Sequence, residues 1–322
     1  MKERETMNKE RAYNRNLAKY KVRMISQANL ALDDDVGSGD ITTQALIRDV
    51  ARLEDAVIIA KATGILCGLQ EAEAVLEEGG LDFKGYKKEG DVIKKGEVIA
   101  KVRGNVKEIV MRERTALDYL QVLSGIATAT HHLARRFPGR VAGLRKTHPG
   151  LCYSEKRAIQ AGGGFSHRLG LYDGFLIKDN HLAAIIRELY GDDDATEEKK
   201  IMAIREALKR AKEYRLSHNL EDCFIEVEVE SLAQALVAAK IHRVEGVPDM
   251  ILLDNMTPQN VTQCVKAIRR EAGEGILIES SGGVTSKNIR AYVEAGVDIV
   301  STSQITLAAK PLDISMKIIG YK

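Results

Sequence analysis

Six short apolar runs in the second half of the chain end in side chains that do ionic chemistry. Leu144-Arg145-Lys146-Thr147 finishes with two cations, and Leu176-Ile177-Lys178-Asp179-Asn180-His181 with a cation, a carboxylate, an amide and an imidazole. Leu252-Leu253-Asp254-Asn255 ends in an acid, Ile278-Glu279-Ser280-Ser281-Gly282-Gly283 in hydroxyls and glycines, and Val300-Ser301-Thr302-Ser303 in hydroxyls. In Ile225-Glu226-Val227-Glu228-Val229-Glu230 the carboxylates alternate, so all three face one side of a strand. Parallel α/β architectures gather the C-terminal ends of their strands on one rim, where ligands bind. Six endings of this kind describe one polar, multiply charged site.

Between Arg145 and His181 stand six Lys or Arg against three Asp or Glu, whereas the whole chain of 322 residues carries 48 against 46. A local cationic excess inside a nearly neutral protein suits a small anion, and it lacks the broad basic face that a nucleic acid requires. Arginine forks match carboxylates and phosphates. Glu228 and Asp254 could hold Mg²⁺, which in turn shields a polyphosphate. Ser281, Gly282 and Gly283, with Ser301 and Thr302, offer hydroxyls and unhindered N–H groups to a phosphate. The run Gly162-Gly163-Gly164 lacks the spacing of a dinucleotide or P-loop fingerprint.

The elements that position these groups read as strand–helix alternation after Arg140, hence a parallel sheet covered by helices. Helical spacing marks Ile201–Ala211, Ala233–Ala239, Val261–Ile268 and Ile289–Val293. Ahead of them, Ala56–Ala60, Val92–Ile93, Val98–Val102 and Val106–Val110 read as short strands between glycine turns. The stretch 89–104 resembles the half-barrel of biotinyl and lipoyl carriers but lacks their lysine motif. Glu113–Arg136 reads as one long helix, and 30–43 as a turn rich in Asp and Gly. Residues 1–20 are a charged lead-in with no apolar core of a secretory signal, and no apolar run approaches the ~20 residues of a membrane span. Four scattered cysteines suggest neither a zinc site nor a disulfide framework. These features predict a cytoplasmic protein.

Several ordered motifs resemble one family, quinolinate phosphoribosyltransferase. They are Glu113–Leu120, Ser124–Thr128, Arg145–Leu151, Gly162–Leu171, Leu176–His181, Glu226–Val229, Leu252–Asn255 and Glu279–Gly283, with Asp35–Thr43 before them and Leu312–Ser315 after. The resemblance implies a mixed α/β N-terminal domain with a β-rich module (1–112, rejoined by 308–322) and a bridging helix at 113–140. An incomplete α/β barrel at 141–307 would carry catalysis. It also implies a homodimer or higher homo-oligomer with shared active sites, and quinolinate and phosphoribosyl pyrophosphate as substrates. By motif position, Arg114 would reach quinolinate from a neighbouring subunit, while Arg145, His167 and Arg168 bind its carboxylates. Lys146, Lys178, Glu228 and Asp254 would handle Mg²⁺–phosphoribosyl pyrophosphate, with Ser281–Gly283, Ser301 and Thr302 on the 5′-phosphate. The alternative is a paralogue acting on another aromatic acid, such as the molybdenum-associated homologue. Lys178 argues against it, because that homologue tends to lose this lysine. Gly143, Leu144, Cys152, Ser166, Ser303, Gln304 and Leu307 depart from the family's usual residues.

Overall fold

The structure, a computed structural model, describes residues 9, 12–49 and 51–319. The first ten residues of the charged lead-in, save Lys9, lie outside that range, as does Arg11. The described residues form two compact units. One comprises 16–136, 146–164 and 305–319; the other comprises 9, 12–15, 137–145 and 165–304. Relative to the expected boundaries, residues 12–15 join the second unit and 146–164 join the first.

The first unit is built on β1 (Leu53–Ala60), β5 (Val98–Asn105), β3 (Asp82–Gly85) and β12 (Ile314–Ile319), an antiparallel sheet in the order β12-β1-β5-β3. A separate ladder pairs β2 (Gly64–Ile65) with β4 (Val92–Ile93). Along β1 the inward positions Ala56, Ile58 and Ala60 are fully buried, the period of two expected of a half-covered sheet. Residues 106–110, expected as a strand, instead open the long helix Val106–Ala134. The side chain of Asn105 accepts from Lys107 N at 2.9 Å and caps it, and Val106 and Ile109 bury one helical face. The helix Lys21–Val36 likewise runs through the first part of the expected turn, burying Met24, Ala28 and Leu32 at a spacing of four. Only then does the chain turn, at Gly37 and Gly39, and Asp40 accepts from Thr43 N to start the helix Ile41–Leu46.

Within this unit the C-terminal segment lies against the long helix at Gly125. A Cβ there would stand 2.3 Å from the Lys310 carbonyl oxygen and 3.0 Å from Pro311 Cα. Gly125→Ala is therefore expected to destabilise the protein by about 1–3 kcal/mol, the usual cost of overpacking. A melting temperature equal to that of the unsubstituted protein would contradict this contact.

The second unit holds six parallel strands: β6 (Val141–Ala142), β7 (Phe175–Ile177), β8 (Ile225–Val229), β9 (Met250–Asp254), β10 (Leu277–Ser281) and β11 (Ile299–Ser301). Their order is β6-β11-β10-β9-β8-β7, so the chain enters at one edge and crosses to the other. β10 and β11 are buried at every position and β9 at all but Asp254, as a sheet covered on both faces must be. The sheet curls. Side chains from the starts of β9, β10 and β11 meet Ala12, Tyr13, Ala142 and Phe224 in one apolar cluster. Ala12 and Tyr13 thus fill the N-terminal end of an incomplete barrel. Among the described residues no helix is long and apolar enough to cross a membrane.

Candidate active site

At the C-terminal end of the barrel strands the expected charged groups come together. Lys178, just past β7, places Nζ 2.5 Å from Glu228 Oε2 on β8. The backbone locks this lysine, because Lys178 N donates to His181 Nδ1 at 3.0 Å and His181 N to Lys178 O at 2.9 Å, closing the first turn of the helix Asp179–Tyr190. His181 is therefore a helix cap. Glu228 is pulled toward its neutral form by burial, with Asp254 and Asp179 adding to the effect and Lys178 opposing it. Asp254, at the end of β9, accepts from Asn255 Nδ2 at 2.6 Å.

Beyond β10 the chain turns through Gly282 (φ +87°) and Gly283 (φ +63°). Among the described residues neither N–H has an acceptor, so both are available to an anion. A Cβ on Gly282 would lie 2.2 Å from Asn255 Oδ1 and 2.8 Å from Asn255 N. Gly282→Ala should displace this turn and raise the KM for a phosphorylated substrate about tenfold or more, with affinity for a carboxylate ligand at Arg145 and Arg168 retained. Steady-state kinetics with each substrate varied in turn checks this; an unchanged value for the phosphorylated substrate would remove the turn from the site.

Arg145 is exposed, and Arg168 is 6 % exposed. Arg168 donates through one NH group to Gly174 O at 2.9 Å, and its buried Nε has no partner among the described residues. Burial and the nearby Arg145 lower its basicity, against the attraction of Glu226, Asp173 and Glu228. Two guanidinium groups that repel each other, one with an unspent donor, are suited to a dianion.

Two expected groups, His167 and Ser301, are buried in the interior. His167, at φ +56°, turns its ring into the barrel interior, 3 % exposed, with Nε2 3.4 Å from a carboxylate oxygen of Glu226 and 3.4 Å from one of Glu279. It is not on the rim. Ser301 is fully buried on β11, and Thr302 donates its hydroxyl to Val284 O at 2.7 Å. Thr302, just past β11, therefore stands next to the Gly282–Gly283 turn, bonded to the residue that follows it.

The interior cluster was not evident from the sequence. Tyr13 donates to Glu279 Oε2 at 2.5 Å, beside His167 and Glu226, and all four groups are buried. The three ligand-type residues His167, Glu226 and Glu279 lie close enough to suggest a cation site. Burial alone would lower the basicity of His167, but Glu279 and Glu226 outweigh it and raise the imidazole to about 9, so at neutral pH the ring is a cation facing the two carboxylates and has no lone pair for a metal. Burial and Glu279 push Glu226 up to about 7. Its folded form therefore holds a proton that the unfolded chain releases near the ordinary carboxylate range, so this group's contribution to stability falls as pH rises from about 4 to 7. Thermal melts from pH 5 to 8 should show a shallower decline in Glu226→Gln; identical slopes would contradict the shift.

Lys146 and Arg114 belong to the first unit. Lys146 is exposed, and its carbonyl accepts from Thr306 Oγ1 at 2.8 Å. Arg114 is exposed beside an apolar groove that includes Ala31, Tyr119, Val122 and Leu151, with one NH group 3.4 Å from Asp118.

Comparison with known proteins identifies the family. Residues 40–124 match the family profile for the N-terminal domain of quinolinate phosphoribosyl transferase, and residues 126–317 the profile for its C-terminal domain. The chain is 35% identical over 294 residues to a probable carboxylating nicotinate-nucleotide pyrophosphorylase of Methanothermobacter thermautotrophicus, covering 89% of this chain and 96% of that protein. It is 34% identical over 291 residues to the Bacillus subtilis counterpart, covering 88% and 90%. The solved nicotinate-nucleotide pyrophosphorylase of Francisella tularensis superimposes with a TM-score of 0.75 at 27% identity, over 92% of this chain and 96% of that one. The chain belongs to the quinolinate phosphoribosyltransferase family.

Proposed function

We infer that this chain transfers the phosphoribosyl group of phosphoribosyl pyrophosphate to the ring nitrogen of quinolinate. CO2 is lost, and nicotinate mononucleotide and pyrophosphate are released, a step of NAD biosynthesis. The observation that carries this reading is Arg168, nearly buried and with a guanidinium donor that has no partner among the described residues, in the unit whose strand ends also carry Arg145, Lys178 and Glu228. A pyridine dicarboxylate offers one carboxylate to each of Arg145 and Arg168; a monocarboxylate leaves one guanidinium unmatched.

Lys178 holds the leaving pyrophosphate, exchanging its contact with Glu228 for one with the departing oxygen as negative charge grows there. Lys146, the next residue after Arg145, is assigned to the same leaving group. The N–H groups of Gly282 and Gly283 receive the 5′-phosphate. As the C1–oxygen bond breaks, the sugar ring becomes cationic, and the half-buried carboxylate of Glu228 tolerates that charge. Glu228 and Asp254 supply hard oxygen donors, close enough that Asp254 favours the neutral form of Glu228, a donor set that fits a divalent cation. We assign Mg²⁺ to them; when bound it shields the pyrophosphate charge. Arg145 and Arg168 hold the carboxylates so that the pyridine nitrogen faces C1. Once that nitrogen is quaternised, the bond from the adjacent ring carbon to its carboxylate breaks and CO2 leaves; the electron pair stays on that carbon, stabilised by the positive nitrogen beside it, and a proton from water takes the place of the carboxylate.

The exposed Arg114 suits a role in the site of a second copy, and on that ground we propose a homodimer. A calorimetric titration tests the substrate assignment: quinolinate should bind at least about tenfold more tightly than nicotinate, the difference of one charge-assisted contact. Equal affinities would overturn it.

A further inference from the structure

We propose that Tyr13 and Arg15 are positioning residues that fix the 166–174 loop and, through it, the guanidinium of Arg168. Both precede the residues matched by the family profiles, which begin at residue 40. Both pack with the barrel unit. The loop ahead of β7 is open only at its tip, where Leu171 is 76 % and Tyr172 59 % exposed, while Ser166, His167, Arg168 and Leu169 are buried. Its two ends are tied to the N-terminal segment.

At the first end, Ser166 Oγ donates to Tyr13 O at 2.8 Å and His167 N donates to the same carbonyl at 3.0 Å. Arg15 N donates back to Ser166 Oγ at 3.2 Å. At the second end, the Arg15 guanidinium donates to Asp173 twice, to Oδ2 at 2.8 Å through Nε and to the carbonyl at 2.8 Å through an NH2 group. Asp173 Oδ2 also accepts from Leu169 N at 2.8 Å, so the clamp reaches the residue after Arg168. Arg15 lies 5.5 Å from the Phe224 ring centroid, over its face, and the ion pair is mostly buried, at 13 % and 17 % exposure. A planar fork making two contacts fixes direction as well as distance, which a lysine at this position cannot do.

The proposal rests on Arg168 binding a quinolinate carboxylate. Displacing its loop should therefore weaken quinolinate selectively. A staple that served stability alone would lower the melting temperature and disturb both substrates together.

The test is calorimetric and kinetic, on the full chain. Arg15→Ala should weaken quinolinate about tenfold, with the KM for phosphoribosyl pyrophosphate changed less than twofold. Arg15→Lys, which keeps the charge and loses the second contact, should fall between; it also serves should Arg15→Ala fail to fold. Asp173→Ala combined with Arg15→Ala should weaken quinolinate by less than the two single effects added together. Unchanged quinolinate affinity in the Arg15 variants, with Arg168→Ala still impaired, overturns the clamp and leaves the function standing. A parallel loss for both substrates also overturns it. Unchanged affinity in Arg168→Ala as well defeats the substrate assignment itself.

Discussion

Lys178→Ala is expected to lower kcat roughly 10²–10³-fold, the scale seen when one preorganised donor to a developing anion is removed. The KM for quinolinate should stay near its original value, because the lysine acts on the other substrate. The ground for this is the 2.5 Å contact between Lys178 and Glu228 at the mouth of the barrel, held by the Lys178–His181 backbone cap. Removing the ammonium also leaves Glu228 half-buried without its cation, so the carboxylate should move further toward its neutral form. Arginine at this position would keep the charge but not the point-like donor. Steady-state kinetics decides it, and a kcat within threefold of the unsubstituted enzyme would remove Lys178 from the chemistry.

Arg168→Ala should raise the KM for quinolinate about 100-fold, or ~2.7 kcal/mol, the lower part of the range for truncating one partner of a buried charge pair. Arg168 is nearly buried, repelled by Arg145, and has a donor at Nε without a partner among the described residues. Binding energy in this arrangement is released only when an anion arrives. Because the contact is the same in the ground and transition states, kcat should change much less than KM. Quinolinate titrations and initial rates together separate the two; a fall in kcat alone would mean that Arg168 does not hold the carboxylate.

The strand ends were legible because short apolar runs such as Met250-Ile251-Leu252-Leu253 and Ile299-Val300 stop abruptly at polar residues, and β8 to β11 bury nearly every residue. Alternation in Glu226, Glu228 and Glu230 was legible too, and the structure adds depth to it. Glu226 is sealed in the interior, Glu228 sits at intermediate depth, and Glu230 is exposed and paired with Lys200 at 2.9 Å. Depth along a barrel axis depends on how the sheet curls, which no local pattern records. His167 escaped for a related reason. Its direction follows from one left-handed residue, and its partners lie 59 and 112 positions further along the chain. The lead-in reads as a solvated charged segment, yet Tyr13 is fully buried and meets Glu279 across 266 residues of chain. Residues 106–110 carry β-branched side chains that suit a strand, but a capping Asn and burial at helical spacing override that propensity.

The central claim is that a cationic rim grips a pyridine dicarboxylate beside an activated sugar phosphate. Quinolinate labelled in the carboxylate next to its ring nitrogen tests it directly. With phosphoribosyl pyrophosphate and Mg²⁺ present, labelled CO2 should be released in step with nicotinate mononucleotide, and omitting the sugar phosphate should abolish both. No release of label from the complete mixture, or release without nucleotide, would contradict the account.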